Sequence, residues 1–116
     1  MIAMNAGWVY WVVMTWTGLL LAGISLPFIK RRVPPNALAG FRTPKTMSDP
    51  AIWYEANAIM GRDLLGCGIV ILASTGVTFL FRNAQPFDRL VLINTFVILS
   101  SVTWMVAHGL WKLSKL

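Results

Sequence analysis

Three long stretches of this chain contain no Asp, Glu, Lys or Arg: Met1 to Ile29, Leu64 to Phe81 and Leu90 to Trp111. Charged residues fill only 12% of the 116 positions, against about 25% in an ordinary soluble domain. Crossing a hydrocarbon core takes roughly 17–25 apolar residues, so each stretch is long enough to span. A soluble globular domain is thereby excluded. The chain reads as a single-domain, all-α integral membrane protein with spans at about 8–29, 64–81 and 90–111 and a structured loop over 30–62.

Other scarcities narrow the chemistry. The one cysteine, Cys67, excludes an intrachain disulfide or a redox pair. Inside a span it reads as a small buried packing residue. The one histidine, His108, supports neither a multi-His metal site nor, by itself, a Ser–His–Asp arrangement. There are four acids against ten bases, a net charge of +6. In a soluble protein that balance points to nucleic acid. Here the bases flank the spans and orient them in the bilayer, so no nucleic-acid partner is expected. Neither a P-loop nor a dinucleotide fingerprint is present. No catalytic residue, cofactor or metal is expected, and the chain reads as a non-enzyme.

The first span lacks a basic N-terminal flank and ends in Lys30-Arg31-Arg32, so it reads as an anchor rather than a cleaved signal. Trp8, Tyr10 and Trp11 cluster at its start, where amphipathic rings favour the headgroup level. Gly18, Ala22 and Ser25 line one face and suit close helix packing. In the second span, Gly66, Ala73 and Gly76 form a similar small face, with Cys67 and Ser74 beside it. Arg82 to Arg89, broken by Pro86, reads as a hairpin that makes the last two spans antiparallel. In the third span Asn94, Ser101 and His108 recur every seven residues, a polar side that should face other helices. His108 has two readings: a structural hydrogen bond, or a proton-linked role, since imidazole ordinarily titrates near neutral pH.

Between the first two spans lies the only dense set of polar residues, PPNALAGFRTPKTMSDPAIWYEAN from Pro34 to Asn57. Val33-Pro34-Pro35 cannot continue a helix, and the segment to Met47 is expected to be irregular. Asp49 and Pro50 signal a helix start. A short interfacial helix is expected from Pro50 to about Met60, with Ile52, Ala56, Ile59 and Met60 on one face, Glu55 opposite and Gly61 as hinge. Eight of the ten bases fall in this loop and the C-terminal tail, which predicts N-outside, C-inside topology with the loop cytoplasmic. Arg42, Asp49, Glu55, Arg62 and Asp63 are candidates for an interfacial charge cluster. Arg42 has two readings, carboxylate or phosphate capture, or pairing with Asp49, Glu55 or a lipid headgroup to hold the loop down.

Pro35-Asn36, Gly40-Phe41-Arg42-Thr43-Pro44, Thr46, Ser48, Trp53-Tyr54 and Ala56-Asn57 together resemble the signature of the SdpI family of small bacterial membrane proteins. The resemblance runs from the end of the first span through the third. It implies a multi-pass protein of the bacterial plasma membrane with Pro35, Asn36, Gly40, Phe41, Arg42, Thr43, Pro44, Trp53, Tyr54 and Asn57 as its signature residues. The best-known member is an immunity protein against a secreted toxin that also holds a repressor at the membrane. It carries further N-terminal spans beyond the signature region present here. Two functions follow as expectations: immunity against or sensing of a membrane-active peptide, or service as a small accessory subunit of a larger membrane complex. Expected partners are the lipid bilayer and another membrane protein or peptide. Asn36, Arg42, Trp53, Tyr54 and Asn57 are expected to form the recognition or anchoring surface of a fixed cap.

Overall fold

The structure, a computed structural model, describes residues 2–116, with side chains from Gly7 onward. It contains four helices: α1 (Ile2–Ile29), α2 (Pro44–Ser48), α3 (Pro50–Leu80) and α4 (Phe87–Ser114). No strand occurs among the described residues. The stretches α1 from Gly7, α3 and α4 are each long and apolar enough to cross a membrane. They run up, down and up, with α3 packed against both others.

Sequence explains where α1 stops. Arg32 N–H bonds to Pro27 O at 2.9 Å and Arg31 N–H to Phe28 O at 3.1 Å. That is the Schellman closure, and it puts Arg31 in the left-handed region at φ 57°, a place usually taken by glycine. The Arg31 side chain bonds Glu55 at 2.6 Å, joining the end of α1 to α3.

The α1–α3 seam depends on residues too small to keep backbones apart. A Cβ at Gly68 would lie 2.9 Å from Gly18 O, and one at Gly61 would lie 3.1 Å from Ser25 O. Gly18, Ala22 and Ser25 thus form the packing face expected of them. The small face expected on α3 does not. Gly66, Ala73 and Gly76 point outward, and a Cβ at either glycine meets open space. The packed face of α3 instead carries Gly61, Gly68, Ile71 and Thr75; the seven-and-three spacing that marked the other stripe is a helical one, but on the wrong side.

The helix starting at Pro50 also differs from expectation. It does not end near Met60 but runs 31 residues to Leu80 without a break. Gly61 is a contact point against α1 rather than a hinge. At about 1.5 Å per residue α3 is roughly 46 Å long, beyond the ~30 Å hydrocarbon core. Its first turns continue the axis of the span and extend beyond the neighbouring end of α1 rather than bending away as a separate helix. The 54 Å long axis of the molecule has the same origin. A short separate helix exists one segment earlier, as α2, inside the stretch expected to be irregular. Thr43 and Thr46 start it with a reciprocal capping box: Thr46 N–H donates to Thr43 Oγ1 at 3.1 Å, and Thr43 N–H to Thr46 Oγ1 at 2.7 Å.

Candidate functional site

The protruding part of α3 is the post around which the loop folds. Asn36 makes the first turn. Its Oδ1 accepts from Leu38 N at 2.9 Å and Ala39 N at 2.8 Å, while Nδ2 donates to Pro34 O at 2.8 Å. Gly40 follows at φ +120°, a conformation that L side chains rarely adopt. Space there is equally restrictive: a Cβ would approach the Trp53 ring to 2.8 Å and Asn57 Oδ1 to 2.9 Å.

Trp53 and Asn57 are buried, at 0% and 2% exposure, one helical turn apart on α3. Trp53 Nε1 donates to Val33 O at 2.8 Å. Asn57 Oδ1 accepts from Phe41 N at 2.6 Å, and Nδ2 donates to Trp53 O at 2.9 Å and more weakly to Phe41 O at 3.4 Å. An irregular backbone thus finds its hydrogen bonds in one amide side chain, which carries both donors and acceptors. Phe41, so positioned, approaches Gly109 of α4 across a groove walled by Met60 and Met105. Lys45 Nζ donates to Leu113 O at 2.9 Å, near the C-terminus of α4. The loop is therefore tied to all three long helices and closes one end of the bundle. Among the described residues no buried side-chain N or O lacks a partner.

The ten signature residues separate into two groups. Trp53, Asn57, Gly40, Asn36 and Thr43 build the cap from inside, with Pro35 leading into its first turn and Pro44 opening α2. Arg42 is exposed and Tyr54 is half-buried; Phe41 bridges the two groups. The charge cluster expected of Arg42, Asp49, Glu55, Arg62 and Asp63 does not form. Asp49 caps α3 through Ala51 N at 2.8 Å, Glu55 takes Arg31, and Asp63 turns to α4. Neither Arg42 nor Arg62 has a carboxylate within ion-pair distance among the described residues.

The polar side of α4 faces α3 at all three positions. Asn94, 0% exposed, accepts from Ser74 Oγ at 2.6 Å and donates to Tyr10 OH at 2.8 Å and Thr75 Oγ1 at 3.2 Å. Cys67, buried, donates to Ser101 O at 3.4 Å. His108 Nδ1 lies 2.5 Å from Asp63 Oδ2, with its ring stacked on Trp104 at 4.8 Å between centroids. The Asp63–His108 pair escaped sequence reasoning, which placed Asp63 in an interfacial charge cluster with Arg42, Asp49, Glu55 and Arg62. The hairpin held the signal: both residues lie about equally far along the chain from its middle, hence opposite each other.

These features define a small multi-pass helical membrane protein whose ordered loop caps one end of a three-helix bundle. The sequence model of the SdpI/YfhL protein family matches residues 32–111, from just after α1 to near the end of α4. The chain belongs to the SdpI/YfhL family. No curated protein and no solved structure showed a significant match to it.

Proposed function

We propose that this SdpI-family protein is a non-enzymatic binding protein of the bacterial plasma membrane that senses, or gives immunity against, a membrane-active peptide. The observation that carries the reading is the setting of Arg42. The residue is exposed and has no carboxylate within ion-pair distance among the described residues, on a backbone held on one side by Asn57 and on the other by the Thr43–Thr46 box. A planar cation on a fixed support suits bidentate carboxylate capture. With N-outside topology this surface is cytoplasmic, where it meets a peptide that has crossed the bilayer or a protein to which the signal passes. The test is growth of a peptide-sensitive bacterial strain expressing the chain under peptide challenge. Protection by the wild type that drops about tenfold in Arg42→Lys, with unchanged melting in detergent, is expected from loss of the planar fork. Equal protection by both forms, or none by the wild type, overturns it.

A second reading, accessory subunit of a membrane complex, is favoured by the outward stripe Gly66, Ala73 and Gly76. Small residues on a lipid-facing side let another helix approach closely. Stoichiometric recovery of a larger assembly on extraction in mild detergent, lost in Gly66→Leu, supports this reading over the first.

A further inference from the structure

We propose that the hairpin end of the α1–α3 pair holds one anionic phospholipid, with its phosphate on Arg82 and one acyl chain in the aromatic groove below. Two adjoining depressions of about 460 and 430 Å³ share Trp8, Trp11 and Phe79 as walls. Each is of ligand-pocket size, roughly 300–1,000 Å³. The first opens at Arg82 and Asn83; the second continues along α1 and α3 past Trp16, Leu72 and Gly76. The groove thus carries a charged side chain at one end only; the other end adds just the uncharged Thr15 and Thr75 to its apolar walls. The charged end sits where α3 has just left its apolar run. A phospholipid has the same order, an anion at headgroup level and a chain beneath it.

Arg82 is already positioned for the anion. Its guanidinium lies 4.0 Å over the Phe79 ring, and Nη1 donates to Phe79 O at 3.1 Å. Guanidinium has five N–H donors, and that bond uses one. No carboxylate is within ion-pair distance among the described residues. The remaining donors at the groove mouth match a phosphate, while a choline or ethanolamine cation finds no acid lining that mouth to pair with and lies beside Arg82, a like charge. That selects a headgroup of net negative charge. The neighbouring Arg89 differs, because its Nη1 is bonded to Gln85 Oε1 at 2.9 Å and it does not line the groove.

The experiment is intact-complex mass spectrometry of the full chain in mild detergent, titrated with phosphatidylglycerol or phosphatidylcholine of identical chains. A one-to-one phosphatidylglycerol complex is expected, retained about tenfold better than phosphatidylcholine, whose phosphate offers the same acceptors but whose cation lies beside the like charge of Arg82. Arg82→Ala should bring phosphatidylglycerol down to the phosphatidylcholine level, and Arg89→Ala should not. Gly76→Phe should reduce retention of both lipids by filling the chain groove. Because a Cβ at Gly76 meets open space, that variant keeps its fold, which an unchanged melting temperature verifies. Equal retention of the two lipids, an Arg82→Ala protein that binds as the wild type does, or a lipid-free dimer in place of the adduct overturns the proposal.

Discussion

Asn57 holds together a segment that has no regular structure of its own. Removing its amide leaves the Phe41 N–H without its partner and frees the Phe41 carbonyl, while the Trp53 carbonyl keeps its helical bond within α3; an unsatisfied buried group costs about 1–3 kcal/mol. Asn57→Ala is therefore expected to lower stability by about 2 kcal/mol or more, read by thermal unfolding in detergent. Trp53→Phe loses the bond to Val33 O and leaves a cavity where the fully buried indole packed, and should cost about 2–3 kcal/mol. Gly40→Ala meets both a left-handed backbone and the Trp53 ring, so a loss on the order of 2 kcal/mol is expected. Equal, negligible effects for all three would show the cap to be a solvated connection. At this scale the sequence was partly legible. Asn57, Gly40 and Trp53 stand out as unusual types in an unusual stretch. Which of them is internal and which is presented depends on the loop wrapping α3, and no local pattern contains that.

The helices are joined in two different ways. Between α1 and α3 the contact is backbone against backbone; between α3 and α4 it is made at two-turn intervals by the Asn94 and His108 side chains and, between them, by Cys67 Sγ on the Ser101 carbonyl. Gly68→Ala pushes a methyl to 2.9 Å from Gly18 O and should cost about 1–3 kcal/mol through overpacking. Gly66→Ala, two residues away on the open face, should be neutral or slightly stabilising because alanine favours helix. A denaturation titration in mixed detergent that ranks both alike would contradict the seam. Hydrogen bonds between spans average only ~0.6 kcal/mol each, so Asn94→Ala, despite three partners, is expected to lose only about 2 kcal/mol. The periodicity of Asn94, Ser101 and His108 told correctly which side of α4 is inward. Spacing alone failed for Gly66, Ala73 and Gly76, because α3 has small residues on two sides and periodicity does not say which one meets a neighbour. Gly61 was misread for a related reason: glycine permits bending and close approach equally, and only the neighbouring helix decides.

For the whole molecule, three spans and their order were legible because runs without charge can be counted. The continuity of α3 was not, since Pro50 to Met60 is amphipathic enough to suit a separate surface helix and only its packing against the loop and α1 shows that it runs on unbroken. The proposed topology is testable with a cysteine at Ala39, which is exposed on the loop; Cys67 is buried and gives little background. Labelling by a membrane-impermeant thiol reagent only after the cytoplasmic side is opened is expected, and labelling of intact cells reverses the assignment. An odd number of alternating helices has an electrical consequence. The macrodipoles of α1 and α3 cancel and that of α4 is left over, placing about half a negative charge at the loop end. In the proposed topology that end faces a negative cell interior, and the residual dipole then opposes the field by about 1 kcal/mol per 100 mV. The Lys45 ammonium on the Leu113 carbonyl sits at that very pole, so one side chain both anchors the cap and sets a positive charge directly against the negative end that a three-helix bundle creates.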